Sequence, residues 1–152
     1  MQSKANEADL AYMRQCIALA IKARASGDYP VGALVVRDHR ILGSGIESTR
    51  RLLDIAAHAE IEALRSACRE TGTLQLPEAT MYTTVEPCYM CSFAIRQAGI
   101  DRVVIGRPFP TAGGISSHHP ILCDPRIAGW GPPPVVVTGV LLDECNALFS
   151  SP

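Results

Sequence analysis

Apolar positions along the chain change period in a way that separates helices from strands. Leu10, Met13, Ile17, Ala20 and Ile21 recur at helical spacing behind Asn6 and Asp9, which stand as in a capping box, and Ser26-Gly27-Asp28 closes this first helix. After Pro30, the runs Gly32-Ala33-Leu34-Val35-Val36 and Ile41-Leu42-Gly43-Ser44-Gly45 flank the polar turn Asp38-His39-Arg40, which predicts a β-hairpin. Residues from about Ala56 to Cys68 are rich in Ala, Glu, Leu and Ile without a breaker, and Gly72 supplies the stop of a second helix. Thr80 to Val85 predicts a strand cut off by Pro87, since proline cannot donate to a central ladder. A short helix from about Tyr89 to Gln97, strands at Arg102 to Gly106 and Val135 to Thr138, and a last helix from Asp143 to Phe149 complete the order α-β-β-α-β-α-β-β-α. Between Arg107 and Pro134 the pattern lapses into Gly and Pro residues around Trp130, and a loop of that length is functional or disordered.

Composition narrows the class. At 152 residues, with 47% hydrophobic and 19% charged, the chain is long enough for one core and is read as a single domain spanning 1–152, which excludes intrinsic disorder. Fourteen Lys and Arg against fifteen Asp and Glu give a net charge of −1, so no bulk field favours a polyanion. No apolar run approaches the roughly 20 residues of a membrane span, and Met1-Gln2-Ser3-Lys4-Ala5-Asn6-Glu7 lacks a signal peptide's apolar core, which points to the cytoplasm. Six cysteines in that setting read as metal ligands and buried thiols, not as a disulfide framework; Cys16, Cys68 and Cys145 fall in predicted helices as small hydrophobes.

The chemistry concentrates in His58-Ala59-Glu60 and Pro87-Cys88-Tyr89-Met90-Cys91. Zinc favours imidazole and thiolate, and a catalytic zinc site keeps three protein ligands with a position open for water, a count that His58, Cys88 and Cys91 meet. At a helix start, Cys88 and Cys91 share one face, where free N–H groups and the positive dipole end favour thiolate. Glu60 lies two residues beyond His58, placed to take and return the proton of a water whose pKa the metal lowers. The alternative is a closed structural zinc site, whose fourth ligand Cys68, Cys123, Cys145, His118 or His119 would have to supply.

His58-Ala59-Glu60 followed by Pro87-Cys88-Tyr89-Met90-Cys91 resembles the H-x-E…P-C-x-x-C signature of the zinc-dependent cytidine and adenosine deaminase superfamily. The likeness extends through Pro30-Val31-Gly32-Ala33, Gly43-Ser44-Gly45, Thr84-Val85-Glu86-Pro87-Cys88 and Arg102-Val103-Val104-Ile105-Gly106, which look like bacterial tRNA adenosine deaminase and its nucleobase-deaminating relatives. The resemblance implies an α/β fold of three α-β-α layers around a five-stranded mixed sheet, a homodimer, a Zn²⁺ cofactor held by His58, Cys88 and Cys91, and Glu60 as the catalytic proton carrier. It also implies that Val31, Ala57 and Ala59 adjoin the substrate; from the residues alone, Val31 and Ala57 read equally as core.

Two departures bear on the substrate. Where those relatives carry an Asn that reads the edge of the base, this chain has Glu47, and an ionised carboxylate only accepts hydrogen bonds. Glu47 either faces a ring that presents N–H donors, such as a guanine-like, isocytosine-like or aminotriazine ring, or ends a strand in solvent near Arg50 and Arg51. The tRNA enzymes also carry a longer basic last helix, whereas from Asp101 onward the basic side chains here are Arg102, Arg107 and Arg126. Phe109 either stacks on the substrate ring or anchors its loop. His118 and His119 read as surface groups, and Trp130 as the plug of the long loop. The expectation is therefore a zinc-dependent hydrolytic deaminase of a free nucleobase or small amino-heterocycle, without a nucleic-acid or membrane partner. The alternatives are a tRNA-specific adenosine deaminase forming inosine, a cytosine or cytidine deaminase and, more remotely, a non-catalytic zinc-stabilised interaction module, which would have no use for Glu60.

Overall fold

Alternation along the strands decides the layering. In the computed structural model, which describes residues 4–150, β1 (Gly32–Arg37) sends Ala33 and Val35 to one face of the sheet and Leu34 and Val36 to the other, all buried. β3 (Thr80–Val85) and β4 (Arg102–Arg107) repeat the split, with Met81, Val103 and Ile105 against Tyr82 and Val104. Strands apolar on both faces need cover on both, so the sheet lies between helical layers. β2 (Arg40–Ile46) and β5 (Val135–Val137) complete the order β2-β1-β3-β4-β5. β1 runs antiparallel to β2 and β3, whereas β3, β4 and β5 are parallel, so the sheet is mixed as expected. Residues 1–3 and 151–152, which the predicted single domain and the reading of the N-terminal stretch include, lie outside the described residues.

Helix α1 (Glu7–Ala25) and the C-terminal α5 (Leu142–Ala147) cover the face carrying Leu34, Tyr82 and Val104. The capping box is present, with Asp9 N donating to Asn6 Oδ1 at 2.9 Å and Asn6 N to Asp9 Oδ2 at 3.0 Å. Asp9 also receives both Arg102 guanidinium nitrogens at 2.7 Å and the Tyr82 hydroxyl at 3.0 Å, which ties the start of α1 to β3 and β4. The opposite face carries α3 (Ala59–Thr71) and α4 (Tyr89–Gln97).

Besides shifts of a residue or two at several strand and helix ends, two helix bounds and one added element depart from the pattern-based reading. α3 begins at Ala59 and not near Ala56, because the Asp54 carboxylate and carbonyl accept from Ala56 N and Ala57 N and wind residues 54–57 into a turn. A short helix α2 (Thr49–Leu52) precedes that turn; its free N–H groups at Arg50 and Arg51 donate to the Asp28 carboxylate at 2.8 and 3.3 Å. The final helix spans Leu142–Ala147, not Asp143 to Phe149.

The long segment after β4 has no regular element, yet buried charges hold it at both ends. Arg96, buried on α4, donates to the carbonyls of Ile121, Asp124 and Gly131 and lies against Trp130, which also packs edge-on to Phe93. Trp130 is thus the plug of this loop.

α3 lies on β2 with almost no side chain between them. A Cβ on Gly45 would stand 2.2 Å from Ala59 O and 2.5 Å from Ala63 N, and one on Gly43 would stand 2.5 Å from Ala63 O and Ala67 N. Since those atoms are backbone, Gly45→Ala should lower the unfolding free energy by about 1–3 kcal/mol, the overpacking range, measured by urea titration. Wild-type stability in that variant would refute the close contact.

Candidate active site

Two helix starts meet at one point. His58 is the N-cap residue of α3 and Cys88 that of α4, both with extended backbone and neither using its side chain as a cap. Cys91 stands at the third position of α4, so the two sulfurs lie on the same side of one helix start. His58 Nδ1 is 3.5 Å from Cys88 Sγ and 3.4 Å from Cys91 Sγ, and the three donor atoms lie within 4.8 Å of one another. One nitrogen and two sulfurs at this spacing fit zinc's preferred ligands. Among the described residues the other candidates stand elsewhere: His118 and His119 are exposed, Cys68 and Cys123 pack against the core, and Cys145 lies across the sheet. The group has three protein donors, as an open catalytic site requires and a closed structural one does not.

Electrostatics prepares the donors. The hydrogen bond from Cys91, together with His58, outweighs burial and holds the Cys88 thiol down at about 4, so Cys88 is a thiolate at neutral pH. That thiolate in turn raises His58 to about 9 against the effect of burial, and its hydrogen bond and burial push Cys91 far up. Two positive helix ends add to the stabilisation of negative charge here.

Glu60, in the first turn of α3, is 4% exposed, and burial pushes its carboxyl up to about 8, with the Cys88 thiolate adding to the rise. Glu47, at the end of β2, is 6% exposed and lines the same cavity, which decides between pocket and solvent for this residue. Thr49 Oγ1 donates to Glu47 Oε2 at 2.8 Å. Burial raises Glu47 above the ordinary carboxylate range, opposed by the Thr49 hydroxyl and by His58.

The cavity, about 450 Å³, runs from these buried groups to a solvent end formed by Tyr29, Pro108 and Phe149. Val31 and Phe109 line it; Ala57 and Ala59, expected beside the substrate, do not. Both are fully buried: Ala57 O accepts from Ser48 N, and Ala59 is pressed onto Gly45.

Pattern reading also missed Glu86 and Arg107, which line the cavity. The buried Glu86 carboxylate accepts from Phe109 N, Ile115 N, Ser116 N and Ser116 Oγ at 2.7–3.1 Å and so fixes the loop bearing Phe109. Its signal was a charged residue directly before Pro87 at a strand end, too common a pattern to single out.

Residues 6–107 match the cytidine and deoxycytidylate deaminase zinc-binding region. The tRNA-specific adenosine deaminase of Haemophilus influenzae is 37% identical over 147 residues, covering 96% of this chain and 83% of that protein. Among solved structures, one from studies of A-to-I editing by tRNA:A34 deaminases at the wobble position is 33% identical, with a TM-score of 0.85, over 91% of this chain and 99% of that one. Guanine deaminase from Bacillus subtilis is 32% identical, with a TM-score of 0.64, over 68% of this chain and 66% of that one. Because the matched region runs through both helix starts and carries the donors His58, Cys88 and Cys91, the chain belongs to the cytidine and deoxycytidylate deaminase family of zinc-dependent hydrolytic enzymes.

Proposed function

We propose that this chain, acting over 1–152 as one deaminase domain, hydrolyses the exocyclic amine of a small amino-heterocycle whose edge presents N–H donors, a guanine-like, isocytosine-like or aminotriazine ring. The observation that carries the ring preference is Glu47, a carboxyl group buried in the cavity wall and held there by the Thr49 hydroxyl and the Ala59 backbone N–H. His58, Cys88 and Cys91 hold the zinc, which when bound supplies the Lewis acidity that brings a water's pKa near neutrality. Glu60, poised by burial near neutral pH, takes one proton from the attacking water and delivers it to the ring nitrogen, then takes the second from the hydroxyl added at the ring carbon and gives it to the amine as it leaves as ammonia. Water adds its oxygen to the amine-bearing carbon, and the C–N bond breaks. Val31 and Phe109 pack against the ring.

A second reading has its own support. Similarity alone favours tRNA adenosine deamination, since the Haemophilus influenzae relative and the wobble-editing structure cover nearly the whole chain. That reading makes RNA the partner, against the expectation from net charge. The proposal also includes a cytoplasmic protein, supported by six free cysteines, and a homodimer, supported by the apolar Leu53 and Ile55, each 92% exposed. Among the described residues no helix is long and apolar enough to cross a membrane.

Ammonia release from guanine, isocytosine, aminotriazines, adenine, cytosine and aminopterins, run beside inosine formation in a tRNA anticodon stem, separates the two readings. Guanine-like rings should lead, and Glu47→Gln should cut their preference over adenine by about 10- to 100-fold, the worth of a charge-assisted hydrogen bond. Wobble inosine without turnover of any free ring would establish the RNA reading instead.

Glu60→Gln keeps the shape of the side chain and removes its basicity. It should retain zinc and lose kcat by about 10²- to 10⁴-fold, checked by metal analysis beside steady-state kinetics. Near-wild-type turnover would remove Glu60 from the mechanism.

Zinc uptake has its own pH signature. At neutral pH the metal-free site holds protons on His58 and Cys91, both raised above their ordinary values, and ligation requires both to leave. Zinc binding should therefore release protons and weaken as pH falls from about 9, measurable by calorimetry in buffers of different ionisation enthalpy. Proton-neutral binding across that range would contradict the protonation pattern assigned here.

A further inference from the structure

Arg107 is the cationic residue of the cavity that the reaction leaves unused. It closes β4 opposite Val85 in the parallel register, and Glu86 N donates to its carbonyl at 2.8 Å, so it stands beside the turn that carries Cys88. Its guanidinium lies 4.2 Å from the centroid of the Phe149 ring, and both groups line the cavity. Among the described residues this guanidinium makes no hydrogen bond or ion pair, unlike Arg102 on Asp9 or Arg96 on its three carbonyls. The acidic groups that share the cavity are engaged elsewhere. Glu86 is saturated by the loop, Glu47 bonds Thr49, and Glu60 lies buried beside the thiolate.

A guanidinium laid on an aromatic ring keeps its edge N–H groups free, in a fork that matches two oxygens of one acceptor. A half-buried cation without a counter-ion gains from an anion that arrives with the ligand. We propose that Arg107, oriented by Phe149, is a specificity-determining residue that binds an oxyanion, a carboxylate or phosphate group, carried by the heterocycle away from its reacting amine. The cavity then has two poles. Acceptor groups at its buried end address the ring and its amine, and a donor fork nearer the solvent end addresses the substituent.

This inference rests on the deaminase reading for its substrate class, so its test has one arm that does not depend on turnover. Zinc-loaded wild type, Arg107→Met and Arg107→Lys would be compared; both substitutions keep an unbranched stem over Phe149, and only Lys keeps charge. In the first arm, calorimetry follows binding of inorganic phosphate and of a ring carboxylate. Wild type should bind, Arg107→Met should bind at least about 10-fold more weakly at equal zinc content, and Arg107→Lys should recover part of the affinity without the two-oxygen fork. In the second arm, kcat/KM is measured on matched pairs: guanine with guanosine 5′-monophosphate, and isocytosine with its ring carboxylate. Arg107→Met should lower the anionic-to-neutral ratio by about 10- to 100-fold in whichever pair holds the true substituent, mainly through KM. That pair distinguishes phosphate from carboxylate. Equal anion binding by wild type and Arg107→Met, or unchanged ratios in both pairs, would overturn the assignment. Absence of turnover on every ring with anion binding still lost in Arg107→Met would defeat the deaminase substrate reading and leave the Arg107 site standing.

Discussion

Everything at the site depends on how closely α3 can lie on β2. A helix normally stands off a sheet by the length of two side chains, but here Gly43 and Gly45 face Ala59, Ala63 and Ala67, and the helix backbone rests on the strand. The spacing of two in the strand and four in the helix is the one at which both sets of small residues share a face. This contact sets the start of α3 level with the ends of the strands, where α4 also begins after Val85-Glu86-Pro87. The metal donors are therefore products of chain geometry: two N-cap residues and one third-position residue brought together because two helices start at the same sheet edge.

The same arrangement explains the charges. Helix starts stabilise thiolate, and the thiolate then orders the protonation of its neighbours, holding His58 and Cys91 protonated until a metal replaces those protons. Burial alone raises Glu60 most, and the nearby thiolate reinforces it, so a carboxyl that would be an anion in water becomes a proton carrier near neutral pH. Glu86, equally buried, instead accepts from four loop donors and anchors residues 109–116. Two glutamates of one cavity thus take different tasks, one facing the metal donors and one holding the loop.

What could be read from the chain follows the range of the interaction. Strand alternation, the capping box of α1 and the H-x-E and P-C-x-x-C spacings are local, and each is where the pattern placed it. Features made by distant partners were not legible. The short α2 exists because Asp28, more than twenty residues earlier, accepts its free N–H groups, and the reading of Asp28 went no further than a helix stop. Glu86 is recognisable as a loop anchor only once residues 109–116 fold back over it, and Arg107 as a cavity residue only once Phe149 packs against it. Ala57 and Ala59, next to His58 in sequence, are fully buried, and Ala59 lies against Gly45 in the contact between α3 and β2. Glu47 was undecidable from pattern, because a polar residue ending a strand suits solvent and pocket equally, and burial against Thr49 settles its place.

Overall similarity and the charged groups of the cavity point to different substrates. A tRNA:A34 deaminase structure matches 91% of this chain at 33% identity and a guanine deaminase structure 68% of it at 32%, so the extent of similarity favours the RNA enzyme while the identity of the matched residues does not rank the two rings. Under the proposed mechanism the same four residues, His58, Glu60, Cys88 and Cys91, serve either ring. Discrimination must come from groups that face the parts of a substrate that differ, and in this cavity those groups are charged. Under the proposed reading, an adenine edge offers lone pairs to an ionised Glu47, a repulsive pairing in a desolvated site, while a ring with N–H donors turns the same carboxylate into its anchor. Since a buried charge costs more unpaired than a neutral amide would, an ionised Glu47 then raises the penalty for the wrong ring as well as the reward for the right one.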